Sequence, residues 1–191
     1  KIEIRDVDNL AAVMRERSVT VRVLQHIWRL YDVMEIVMPL LKYIEKMNVG
    51  TVRDLTEKTP TKGREKTKQK FVKSLDALLR ADNFPPLICA LCSKCTQMIL
   101  RHNDKESHNS PVMQWAVGSL IFLRFLVPAI TEIASHPLAP DTERKGALLI
   151  ARFLMKLCCK SKFDGQGSLL NEILIEYDTC FDQFCDSIEA I

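Results

Sequence analysis

Val117-Gly-Ser-Leu-Ile-Phe-Leu-Arg-Phe-Leu-Val-Pro-Ala-Ile130 is an almost unbroken apolar run with one permanent charge, Arg124, at its middle. A helix apolar all round belongs in a protein core, and a guanidinium placed there needs hydrogen-bonding partners because a bare buried charge is costly. Spanning a membrane takes about 18 or more apolar residues, whereas this run holds Arg124 inside it and Pro128 near its end. The sequence therefore predicts a buried central helix.

Working outward, the neighbouring segments repeat the helical period. Downstream, the loop from Ser135 to Asp141 leads into a helix from Glu143 to about Cys159, with Asp141 or Thr142 as its cap. Phe163 to Gly167 is a turn, and two further helices are expected over Ser168–Tyr177 and Thr179–Ile188. Upstream, Ser110-Pro111 opens the central helix, and Asn83-Phe84-Pro85-Pro86 turns into a helix from Leu87 to about Arg101. A long apolar period runs from Val19 to Met47, with Pro39 kinking or dividing it and Asn48-Val49-Gly50 stopping it. A short charged helix is expected within the first 17 residues, before the polar knot Arg15-Glu16-Arg17-Ser18.

With 191 residues, 47% hydrophobic and 27% charged, the chain suits one well-buried domain. Only six glycines and no alternating strand pattern point to an all-α fold without a sheet. A net charge of +3 is too mild to imply nucleic acid, and no transmembrane segment or signal peptide is visible. The seven cysteines lie mostly in helical apolar patterns, so free thiols in a reducing, cytoplasmic setting are expected. Cys89, Cys92 and Cys95 fall on successive helical turns without a nearby fourth ligand and read as small core hydrophobes, not as a metal site. The most basic stretch, Lys62 to Lys73, has six cations against Glu65 within a polar segment spanning residues 51–73. It reads as a solvated loop entering a helix, with phosphate or membrane contact as the alternative; no aromatic residues interleave the charges.

No phosphate loop, nucleophile elbow or metal-ligand motif is present. The purposeful residues are arginines. Ala116 to Ile130 resembles the A-V-G-S-x-x-F-L-R-F-x-x-P-A-I signature of Ras GTPase-activating domains, and Phe84-Pro85-Pro86 is similar to the F-P-P element preceding it. Met14-Arg-Glu-Arg-Ser-Val-Thr-Val-Arg22 aligns with that family's F-R-G-N-S-L-A-S-K finger loop, so the resemblance covers nearly the whole chain, residues 1–191, and implies one all-helical domain of a larger protein.

The resemblance implies that Arg15 is an arginine finger and that Arg124 supports the finger loop by holding its carbonyls. Ras and its activators are the type case of this chemistry: a cation supplied in trans stabilises charge that develops during phosphoryl transfer. It further implies contacts to a Ras-family small GTPase from Arg17, Ser18, Phe122, Leu123, Pro128, Arg152 and Lys156. The domain then has no cofactor of its own, because GTP and Mg²⁺ are carried by the partner, and membrane recruitment falls to other domains. The sequence departs from the family pattern at Glu16 and Arg17, and at Arg152 to Cys159, where the family's K-x-x-Q-N-x-A-N run loses its amide pair. These departures motivate a second reading, a GTPase-binding scaffold of the same fold with little or no activity.

Overall fold

A computed structural model describes residues 33–57, 62–102, 117–164 and 169–189, together with the positions of His26 and Gln114. Among the described residues the chain is all-α: seven α-helices, a short 3-10 turn over Ala81–Asn83 and one π-helical segment, with no strand. None of these helices is long and apolar enough to cross a membrane.

Helix α1, Val33–Glu45, carries Pro39 inside it as one continuous element, so the expected division at Pro39 does not occur. Asn48 does not simply stop the helical run. Its side chain accepts from the Thr51 N–H at 2.8 Å and so caps α2, Val49–Thr56. The capping geometry was hidden because Gly50, read as a breaker, lies in the first turn. Helix α3, Arg64–Leu78, takes the second half of what the sequence presents as a polar segment, and it buries Thr67, Phe71, Leu75 and Leu78 at helical spacing. The Asn83 amide closes its end, donating to the carbonyls of Ala77 and Leu78 at 2.6 and 3.4 Å.

Helix α4, Pro86–His102, begins on the second proline of the Phe-Pro-Pro turn, as its missing N–H allows. The central run follows as a π-helix over Gly118–Leu126 that passes directly into α5, Val127–Ser135. Helix α6, Asp141–Cys158, has Pro140 at its N-cap with no side-chain cap, so the capping expected of Asp141 or Thr142 is not made; Asp141 instead lies in the first turn and pairs with Lys145 at 2.6 Å. The end of α6 is a Schellman turn, in which Ser161 N–H reaches the Lys156 carbonyl and Lys160 N–H that of Leu157, with Lys160 in the left-handed region at φ 46°. Helix α7, Leu169–Glu189, is continuous where the sequence suggests two. Its apolar stripe, from Leu169 through Tyr177 to Ile188, never loses register, so Asp178 and Thr179 are simply on its outer face.

One core cluster draws on every one of these helices and on the π segment. Two aromatic chains run through it. Tyr43 stacks on Phe71, which meets Phe153 edge-on, joining α1, α3 and α6; Phe122 meets both Phe181 and Phe184 edge-on, and Phe84 packs on Phe184, joining the π segment to α7 and the turn before α4. Cys89 and Cys92 lie in this core as free thiols, and burial pushes the Cys89 thiol pKa up. The Cys95 side chain lies outside what the structure describes.

Candidate functional site

The signature-like run adopts a geometry that its apolar pattern does not announce. In the π segment each N–H reaches five residues back, as Val127 does to the Phe122 carbonyl. Pro128 lies at the changeover from this register to α5 and, lacking an N–H, donates no ladder bond in either register. At the other end, Gly118 permits an unusually close helix approach. A Cβ at that position would lie 2.5 Å from Cys158 Sγ and 3.3 Å from Phe181 Cζ.

Seven of the segment's nine residues are buried, and the other two are Leu123 and Arg124. The expectation of a fully enclosed Arg124 is therefore corrected: the side chain is half-buried. With Leu123, Val127, Pro128 and Ala129 it makes up the part of the run that reaches solvent. Desolvation draws the Arg124 pKa below the ordinary arginine value, and the guanidinium remains charged even so. Leu123 is half-buried and Pro128 exposed, so both are open to a partner, whereas Phe122 is fully buried between Phe181 and Phe184 and acts by fixing the segment.

On α6, Arg152 is exposed and Lys156 half-buried, with Met155 between them 45% exposed. This face presents two cations and a flexible thioether, the side chains by which the sequence departs from the pattern it resembles. Lys156 also lines a small cleft with Lys160, Ser161 and Asp178 at the α6–α7 corner, where Lys160 pairs with Asp178 at 3.2 Å and Asp182 at 2.9 Å. Arg15, Arg17 and Ser18 lie outside the described residues, as does any contact from Arg124 to the loop that carries them.

The basic run of residues 62–73, which the sequence presents as a solvated loop entering a helix, is already helical from Arg64 onward. Helix α3 sorts its charges onto two sides. Arg64 and Lys68, one turn apart, pair with Glu172 and Glu176 on α7. Lys66, Lys70 and Lys73 face the other way, toward α1. The i, i+4, i+7 spacing was readable in the sequence, but the acidic stripe that claims one side lies over a hundred residues away.

Comparison with models of known protein families and with curated protein sequences gives no match for this chain.

Proposed function

We infer that the chain is a GTPase-interacting domain of the Ras-activator type, which docks on a small GTPase and supplies Arg15 in trans to the nucleotide phosphates. The observation that carries this reading is the Ala116–Ile130 run, whose one charge, Arg124, sits half-buried on the run's solvent-reaching strip. A guanidinium there has five N–H donors in a planar fork, suited to holding the carbonyls of an adjoining loop. Charge on the transferring phosphoryl group grows in the transition state, so a cation delivered at that moment lowers the barrier more than it tightens ground-state binding. Nucleotide, Mg²⁺ and the water-orienting side chain belong to the partner, and this chain contributes the finger, its brace and a docking face that includes Leu123, Pro128, Arg152 and Lys156.

The second reading is a scaffold that binds the GTP-loaded partner without accelerating hydrolysis. The α6 face favours it, since Arg152, Met155 and Lys156 offer charge and apolar contact but no amide to hydrogen-bond a finger loop or a switch region.

Single-turnover GTP hydrolysis by Ras, Rap and Rho family proteins separates the two. Under the activator reading the wild-type domain accelerates at least one of them, and Arg15→Ala removes about a thousandfold or more of that acceleration. Arg124→Ala, acting through finger placement, removes about a hundredfold with binding retained. No acceleration of any partner defeats the activator reading, and binding to the GTP-loaded form alone establishes the scaffold.

A further inference from the structure

A second concavity lies on a different part of the molecule from the π segment. It is a cleft of about 620 Å³ between α1, α2 and α3, within the range of small-molecule sites. Its lining carries five lysines against one aspartate, Asp54. Lys42 lies in the last turn of α1 and Lys46 just past its end, and Lys66, Lys70 and Lys73 follow one face of α3. None of the five is in an ion pair among the described residues, although α7 supplies acidic partners to Arg64 and Lys68 of the same helix. Packing α1 against α3 thus concentrates like charge around one hollow, which raises the free energy of the empty site and favours an anion within it.

A second observation concerns the lining itself. Tyr43 is only 8% exposed, and its hydroxyl has no hydrogen-bond partner among the described residues. Its ring stacks on Phe71, which holds the side chain at the wall of the cleft. Burial, and then the Asp54 charge, hold the phenol protonated, leaving it a donor. Asp54 is already engaged beside the start of α3, where it accepts from Thr67 Oγ1 at 3.0 Å and where a side chain at Gly63 would come within 2.7 Å of it. An unsatisfied buried donor is a liability in the empty protein and an asset once an acceptor arrives.

We propose that this cleft binds a compact, multiply phosphorylated polyol, free or as a lipid headgroup, with the five lysines on the phosphates and the Tyr43 hydroxyl donating to one of their oxygens. Lysines are point-charge donors that suit phosphate oxygens, and five of them around one hollow exceed what a single phosphate needs. A nucleic acid strand is a poorer occupant, because the lining offers one aromatic ring, Tyr43, and that ring is buried against Phe71. This site is independent of the GTPase reading.

The test is calorimetric titration of the chain with inositol hexakisphosphate, paired with sedimentation on phosphatidylcholine vesicles carrying phosphatidylinositol bisphosphate or, at matched charge, phosphatidylserine. Binding of the free polyphosphate without vesicle binding identifies a soluble ligand. Binding to the bisphosphate vesicles, displaced by the free polyphosphate, identifies a headgroup. Lys66→Gln combined with Lys70→Gln weakens either interaction by about tenfold, and a charge-matched control, Lys94→Gln with Lys145→Gln, changes it by less than about twofold. Tyr43→Phe weakens it roughly threefold while leaving thermal stability unchanged or raised, since the empty protein loses no bond. No binding in either assay, equal binding to phosphatidylserine vesicles, or equal losses in the cleft and control variants overturns the proposal.

Discussion

The π segment, 9 residues long, and helix α3, 15 residues long, solve opposite problems. The first, Gly118–Leu126, is apolar and surrounded by protein on most sides, and its geometry is set by what packs on it. The second, Arg64–Leu78, is mostly polar, and only Thr67, Phe71, Leu75 and Leu78 are buried. In the first, nearly every side chain has a steric partner. In the second, one stripe fixes the helix while the charges are divided between ion pairs to α7 and the open cleft with α1. Position in the core, more than residue chemistry, therefore sets how much any one substitution costs.

The strongest break in that comparison is Gly118→Ala. The added methyl meets Cys158 Sγ at 2.5 Å and Phe181 Cζ at 3.3 Å, where two helices already close on the segment. The expected loss is about 1–3 kcal/mol in chemical denaturation, the usual range for overpacking a core. Cys158→Ala removes the nearest atom, so the double variant recovers much of the loss, with a coupling of roughly 1 kcal/mol. Full stability of Gly118→Ala, or strict additivity in the double variant, removes the claim that close approach requires glycine here.

A smaller effect is expected at the seam between α3 and α7. The Tyr177 hydroxyl shares its proton between the Asp76 carboxylate and the Val72 carbonyl, 2.9 Å away, and so ties the core face of α7 to α3. Tyr177→Phe leaves those acceptors near solvent and costs about 1–2 kcal/mol. Burial, then the bond to Asp76, raises the Tyr177 pKa above its ordinary 10.0. A raised folded-state pKa means the contribution is complete below pH 10 and declines as pH rises beyond it, because the unfolded chain releases the proton first. Thermal melts across that range show the wild type losing stability faster than Tyr177→Phe; parallel curves defeat the assignment.

The difference between the two regions also explains which parts of the fold were legible in the sequence. Helices appeared wherever an apolar period of 3.6 ran long enough, as in α1, α4, α6 and α7. The π register did not, because an all-apolar run carries no period that distinguishes bonds four residues back from bonds five back. Helix α2 was hidden by its glycine, and the break expected near Asp178 was a polar pair on an outer face. For the candidate site, the sequence singled out Arg124 but not its half-exposure, because the apolar neighbours on both sides give no sign of which strip of the run faces solvent. It also exposed the lysine spacing of α3 but not its sorting, because Glu172 and Glu176 are brought to Arg64 and Lys68 only by the packing of α7.

That sorting leads to the smallest expected effect, a double-mutant cycle on Lys68 and Glu176. The two side chains are 20% and 52% exposed, so solvent screens the pair and both side chains lose rotamer freedom by forming it. Hydrogen bonding to Glu176 raises the Lys68 pKa against an opposing desolvation, so its contribution is complete below the unfolded lysine pKa near 10.5 and fades as pH climbs above it. Lys68→Met with Glu176→Gln is expected to show a coupling below about 0.5 kcal/mol at physiological salt, vanishing near 1 M salt, where the Debye length is about 3 Å. Arg64 and Lys68 would then owe their pairing to α7 being held in place by Tyr177 and the apolar stripe, and not the reverse. A coupling of 2 kcal/mol or more that persists at about 1 M salt would mean that the charges themselves dock α7 on α3, and that α3 is specified by its charged sides as strongly as the π segment is by its packing.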